Sequence, residues 1–250
     1  MVREAGERPR EDALVRLLSV NVARPRVLGI YAGKRIVSAI GKQPVAAATL
    51  WLDRLNLEGD RQADRRVHGG PDKAVYVYPA DHWPRWSEEL GRSFGPASFG
   101  ENLTIAGWTE GDVCIGDVWV WGEARLEVSQ PRGPCYKLGM HTGREEIVEL
   151  MRQTGRTGWY LRVLQPGRVP VRGPIVVAER HPARVSVLAA HRATQPETMP
   201  DDERRRILAE APLAESWRRS IRRLLSHDGH VGHDGHVGHD GHDGHVGQGG

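Results

Sequence analysis

The residues best suited to chemistry sit in SQPRGPCYKL, residues 129–138. Cys135 is one of two cysteines in the chain, and it follows a polar turn, not an apolar run. Pro131 fixes φ and tends to end a strand ladder, Gly133 permits close backbone approach, and Pro134 stiffens the step into the cysteine. Such a turn presents a thiol at a set angle. Arg132 and Lys137 nearby favour thiolate, the form that attacks electrophiles and binds metals. A nucleophilic pair would also need a base, and His68 and His141 are the candidates. Cys114, in DVCIGD, sits in more apolar surroundings and reads as a packing residue.

Two further clusters carry polar groups at useful spacing. In RVHGGPDKAV (66–75), the backbone N–H groups of His68, Gly69 and Gly70 can converge into an anion nest, with Lys73 adding charge. A plain Gly-Gly-Pro turn is the competing reading, and the strand-GxxxxGK-helix order of a nucleotide loop is absent. In FGENLT (99–104), Glu101 and Asn102 offer an acceptor and a bidentate amide suited to a heterocycle edge, or simply a polar turn opening a strand. EGD at 58–60 fits a hairpin or a site rim. There is no CxxC, no HExxH and no compelling acid pair, so conventional zinc or two-carboxylate catalysis has no support.

These residues must be positioned by short elements. Strands are expected at Leu14–Val22, Arg35–Ile40, Ala74–Tyr78, Val118–Trp121, Arg125–Val128, Trp159–Leu164 and Pro174–Ala178. ARPRVLG (23–29) reads as turn-rich, residues 55–73 as one long loop, and 99–112 as a loop-strand-loop unit. Asp81 is expected to cap a helix carrying Trp83, Trp86 and Leu90 and ending near Gly91. Thr142 and Glu145 have capping-box spacing ahead of Ile147, Val148, Leu150 and Met151, with Gly155 closing that helix. Many short strands and few helices predict a mainly β fold, a barrel with decorating helices.

Residues 1–13 read as a flexible arm, 14–180 as the barrel domain, and 181–226 as a helical module with helices at Val185–Arg192, Asp202–Ala211 and Ala214–Leu225. The last carries Trp217, Ile221, Leu224 and Leu225 as one apolar stripe. Residues 227–250 are a low-complexity His/Gly/Asp tail, expected to be disordered. Seven of the twelve histidines lie there at three-residue intervals, a pattern able to bind divalent nickel, zinc or copper, or else an inert extension.

With 250 residues, 39% hydrophobic and 27% charged, the chain has the composition of an ordinary globular protein. The pI of about 9.1 invites a nucleic-acid reading. Net charge is only +3, however, and the 35 basic residues, four of them lysine, are spread along the chain, so nucleic acid is not the expected partner. Two cysteines make no disulfide framework, the N-terminus lacks an apolar signal region, and no window resembles a membrane span. A cytoplasmic protein without membrane contact is expected.

Taken together and in order, LEGDRQAD, HGGPDKAVYVYP, FGENLT, IGD and VSQPRGPCYKL resemble the MOSC family, the molybdenum-cofactor sulfurase C-terminal domain. The resemblance is closest to the bacterial stand-alone branch tied to resistance to 6-hydroxylaminopurine, and it spans roughly residues 14–180. The helices after it resemble the small three-helix domain of that branch. The resemblance implies a β-barrel in which Cys135 matches the family's characteristic cysteine, a thiolate ligand to molybdenum beside a phosphorylated pterin. It implies reduction of N-hydroxylated substrates, with electrons from a separate flavin or haem partner. Arg132, Lys73 and the His68–Gly70 backbone become pterin or phosphate contacts, and Glu101 and Asn102 cofactor or substrate contacts. The alternative, from the same family context, is a sulfur carrier holding a persulfide on Cys135. A homodimer is compatible with the exposed aromatics.

Overall fold

The computed structural model describes residues 13–63 and 69–227. The expected arm up to residue 12, His68 and the His-rich tail beyond residue 227 lie outside the described residues. The strands are β1 (Leu14–Val22), β2 (Arg26–Tyr31), β3 (Lys34–Ser38), β4 (Gln43–Pro44), β5 (Thr49–Leu52), β6 (Val75–Pro79), β7 (Leu103–Ala106), β8 (Val118–Trp121), β9 (Ala124–Pro131), β10 (Trp159–Gln165), β11 (Gly167–Pro170) and β12 (Pro174–Glu179). The helices are α1 (Trp83–Leu90), α2 (Tyr136–Thr142), α3 (Ile147–Thr154), α4 (Val187–Arg192), α5 (Asp201–Glu210) and α6 (Glu215–His227).

Strands run in the order β12-β8-β9-β10-β6-β7-β1, and β1 pairs back onto β12, so the sheet closes on itself. Closure removes the exposed edges that an open sheet of this size would have to protect. All pairs in the ring are antiparallel except β6 with β7, where Val77 stands opposite Leu103. The expected mainly β barrel is what forms. No described helix is long and apolar enough to cross a membrane.

Alternation explains where the core lies. Val75 and Val77 of β6 point into the barrel with Leu103, Ile105, Leu126, Val128 and Leu161. The intervening Tyr76 and Tyr78 point outward into a second apolar cluster with Trp86, Leu90, Phe99, Leu138, Ile147 and Met151. All five residues of β6 are buried, so the strand separates two cores. In the outer core Tyr78 stacks on Phe99 with ring centroids 3.9 Å apart, and Trp86 Nε1 donates to the Tyr78 hydroxyl at 2.5 Å.

Several local expectations change. ARPRVLG is not a turn: residues 26–31 form β2, paired with β3 through a bulge at Leu28 that breaks the period-two signal. The ribbon of β5 and β11 was not expected, because its four-residue strands are punctuated by Gly167 and Pro170. Asp81 does not cap α1. Its carboxylate accepts from the Gly107 backbone, and His82 occupies the N-cap position. Thr142 and Glu145 do not form a capping box: Thr142 closes α2 and its hydroxyl donates to the Leu138 carbonyl. The helix α2 was missed because Gly139 interrupts its pattern, and a Cβ there would come within 2.9 Å of the Glu145 backbone.

The three C-terminal helices share the barrel's apolar cluster through Val187, Ala190, Ile207 and Ile221, with Leu213 from the connection between α5 and α6. Ser186 caps α4 by accepting from Ala189 N–H. The start of α6 is tied to β9, where Ala214 N–H donates to the Ser129 carbonyl and Ser216 to the Gln130 side chain. The helices therefore brace the strand that leads into Cys135.

Gly158, immediately before β10, has φ +66°, and a Cβ there would collide with the Val77 carbonyl and the Tyr76 ring. Gly158→Ala is expected to lower unfolding stability by about 3 kcal/mol, from left-handed strain plus overpacking, measured by urea denaturation. A loss below about 0.5 kcal/mol, the range of ordinary surface changes, would mean that β6 and β10 are not packed this closely.

Candidate functional site

Cys135 occupies the N-cap position of α2 in extended backbone, φ −135° and ψ 163°. Its carbonyl accepts from Leu138 N–H at 2.9 Å, and Leu138 is buried in the outer core, so the helix fixes the cysteine from below. The thiol makes no capping bond and is half-buried, facing a cavity of about 90 Å³. The bracketing prolines and Gly133 thus deliver the sulfur to a recess, as a stiff turn should.

The recess is strongly cationic. Among the described residues Lys42, Arg61, Lys73, Arg132 and Lys137 line it, against one carboxylate, Asp60. Arg132 is buried, with its backbone N–H donating to the Gly158 carbonyl at 3.1 Å and its guanidinium 5.0 Å from the Tyr76 ring centroid. Burial alone would pull Arg132 down. The hydroxyls of Tyr76 and Tyr160 and the Cys135 thiol outweigh it, and its pKa is raised. Burial pushes Tyr160 up, against the pull of Arg132, which hydrogen-bonds to it. Arg132 is therefore a permanent cation held between an aromatic face and the thiol.

Lys73 reaches the cavity from the 3₁₀ turn Pro71–Lys73, with its N–H donating to the Gly70 carbonyl at 3.0 Å. Burial lowers its pKa, opposed by Asp72. Gly70 has φ +100°, which lets the chain turn and bring Lys73 in. Neither Gly69 nor Gly70 lines the cavity, and the Gly-Gly turn instead brings Lys73 to it. His68 lies outside the described residues. His141 hydrogen-bonds to the Ala97 backbone and does not line the cavity, and burial lowers its pKa.

Glu101 and Asn102 serve the wall, not its surface. Glu101 is fully buried and accepts from Ala97 N–H (2.8 Å), Phe99 N–H (3.0 Å) and the Thr104 hydroxyl (2.8 Å). Burial raises its pKa against these bonds. It pins the Phe99–Gly100 turn that borders the recess, and no oxygen is left to meet a ligand. Asn102 does border the cavity, yet its amide donates to Asp60 (3.0 Å) and the Asn21 carbonyl (3.2 Å) and accepts from Tyr76 N–H (3.1 Å). Its bidentate edge is engaged by the protein's own groups, two on the backbone and one on Asp60.

The pair that sequence reasoning missed is Lys42 with Asp60. Lys42 Nζ donates to Asp60 Oδ1 at 2.5 Å, and both are buried. The same carboxylate accepts from Ala23 N–H at 2.8 Å and from Asn102. Burial lowers the Lys42 pKa, and Asp60 holds it up. The available signals were slight: Lys42 is one of four lysines, and Asp60 belongs to the EGD motif read as a rim. Cys114, by contrast, is buried on another face with Arg180 Nη2 at 3.5 Å from its sulfur.

A family model for the MOSC domain matches residues 64–176. Uncharacterized protein YflK of Bacillus subtilis is 48% identical over 205 residues, spanning 82% of this chain and 92% of that protein. Protein YiiM of Escherichia coli is 39% identical over 202 residues, spanning 78% and 90%. A protein named reductase from Gibberella moniliformis is 35% identical over 164 residues, which are 64% of this chain but 29% of that one. The crystal structure of YiiM from Geobacillus stearothermophilus superposes with a TM-score of 0.70 at 32% identity, covering 84% of this chain and 99% of that one.

Asp60→Asn leaves the Lys42 charge buried and sets one amide donor against another at Asn102. A loss of about 3 kcal/mol is expected by urea denaturation. A variant as stable as the parent would show that the pair is not closed in solution.

Proposed function

The chain belongs to the MOSC domain family, and from that premise together with the Cys135 recess we propose that it is a molybdenum-cofactor-dependent reductase of N-hydroxylated compounds, hydroxylaminopurine-type bases among them. The observation that carries this reading is one half-buried thiol in a recess lined, among the described residues, by five cations and a single, already paired carboxylate.

The donor set suits such a ligand. Among the described residues no group of three or more His, Cys, Asp or Glu side chains can cage a metal ion. A metal that arrives on its own chelating group needs only one protein donor, and a soft thiolate is the appropriate one for the pterin-bound molybdenum. The phosphate of that group needs cations, and Arg132 and Lys73 are the residues that would hold it. The recess of about 90 Å³ suits a small anionic head, and larger parts of such a ligand would extend beyond it.

When bound, the cofactor supplies a two-electron redox centre. The chain's residues do the rest. Cys135 anchors, Arg132 and Lys73 orient by charge, and Tyr76 and Phe99 exclude water from the inner wall. In the overall reaction the N–O bond breaks and an N–H bond forms. Two electrons from a separate donor and two protons from solvent are consumed, and water leaves. Two free thiols suit the reducing cytoplasm, which is the compartment proposed.

The test is metal and pterin analysis of protein from a cofactor-competent host, with Cys135→Ala and Cys114→Ala alongside. The parent is expected to carry molybdenum and fluorescent oxidised pterin. Cys135→Ala is expected to lose metal and all reduction of 6-hydroxylaminopurine at unchanged melting temperature, while Cys114→Ala keeps both. Labile sulfur on Cys135 with no molybdenum would replace this reading by the sulfur carrier.

A further inference from the structure

The β2–β3 hairpin has two different faces. Pairing places Gly29 with Ile36 and Tyr31 with Lys34, and this face lies on α2, where Met140 packs over Gly29 and Tyr31 stacks on Tyr136 at 4.5 Å. The bulge at Leu28 leaves Val27 with Val37 and Ile30 with Arg35 on the opposite face. That outer face is in solvent: Ile30 is 75% exposed, Val27 50% and Val37 42%. Apolar side chains gathered on an outward strand face mark an interaction site, because sheets otherwise turn polar residues to water.

Charge identifies the partner's character. Arg35 stands on this face and Arg24, Arg26 and Lys34 lie at its margins, all four exposed. No Asp or Glu occurs between Leu14 and Leu52, and the described ion pairs include none of these four cations. A second copy docking face to face would set cations against cations, which disfavours self-association. An apolar face with basic margins fits an acidic protein.

Position identifies its purpose. Ser38, the last residue of β3, and the following Ala39 and Ile40 line the Cys135 recess, and Tyr136, on which Tyr31 of the inner face stacks, adjoins Cys135. We propose that the outer face of the β2–β3 hairpin docks an acidic electron-carrier protein, of flavin or iron–sulfur type, that reduces the Cys135 site. The proposal rests on the reductase reading, whose reaction consumes two electrons per turnover: the carrier is oxidised as the N–O bond is reduced, with both protons taken from water.

The full chain with its cofactor is titrated calorimetrically with two acidic carriers, a flavodoxin and a ferredoxin, at low and high salt. The Val27→Ser/Ile30→Ser and Lys34→Glu/Arg35→Glu variants are compared. Binding to at least one carrier is expected, weakened by salt and by about tenfold in each variant, with KM for the carrier rising in step. Turnover driven by reduced viologen is expected to stay at the parent's rate. The proposal is overturned by unchanged affinity in both variants or by no binding to either carrier. It is equally overturned by a hairpin that instead binds phosphatidylglycerol vesicles or drives self-association in sedimentation. Absence of viologen-driven turnover in the parent would remove the reductase reading alone, since the titration reads binding without turnover and decides the surface by itself.

Discussion

The strand Val75–Pro79 has no solvent face, so every residue on it must satisfy one of two cores. Val75 and Val77 commit to the barrel interior, and that choice turns Tyr76 and Tyr78 outward. A tyrosine in an apolar core must place its hydroxyl, and Tyr76 does so on the Thr157 carbonyl at 2.8 Å. This leaves its ring as a wall, over which the Arg132 guanidinium lies. Slipping β6 by one residue would exchange the two faces, removing both the barrel core and the recess wall. The recess is a consequence of packing outside a barrel, with the barrel interior filled by side chains.

The electrostatics follow from what that wall already contains. Lys42 and Asp60 neutralise each other and are held by Asn102 and the Ala23 backbone, so the paired charges act as structure. Arg61, Lys73, Arg132 and Lys137 also line the recess, and Asp60 is the one carboxylate among its described lining residues. Burial at Lys73 and Lys42 shows as pKa values pulled down, which is the electrostatic strain of cations kept from water. An anion entering the recess relieves that strain, and this is why an anionic ligand is favoured over a neutral one.

Cys135, Arg132 and Lys73 are legible in the sequence because their signals are local. A proline-glycine bracket and a Gly-Gly turn state a backbone geometry on their own. Glu101 and Asn102 look the same on paper, as polar groups after a glycine, yet Glu101 turns back on Ala97, Phe99 and Thr104, and the partners of Asn102 at Asn21, Asp60 and Tyr76 are distant in the chain. Only the closed barrel reveals that those partners consume every polar atom. Lys42 is hidden for the same reason. The helix α2, which holds the thiol, escapes because Gly139 is chosen for contact with the Glu145 backbone, against helical propensity. Strands that close the ring alternate clearly, whereas β2 loses its period at a bulge.

How Cys135 is held bears on which thiol chemistry suits it. A sulfur carrier must meet another protein's sulfur, and thiol exchange requires in-line access to the attacked atom. Here the sulfur faces a recess, between a helix fixed in one core and a strand end braced by α6. Cations stand around it at positions a persulfide would not need. A ligand that is anionic, larger than the enclosed volume and bound through one soft contact uses all of these features together. Rigidity then follows as a requirement: a single thiolate can define the orientation of such a ligand only if its own backbone does not move. The prolines at 131 and 134, and the Leu138 anchor below, supply that rigidity.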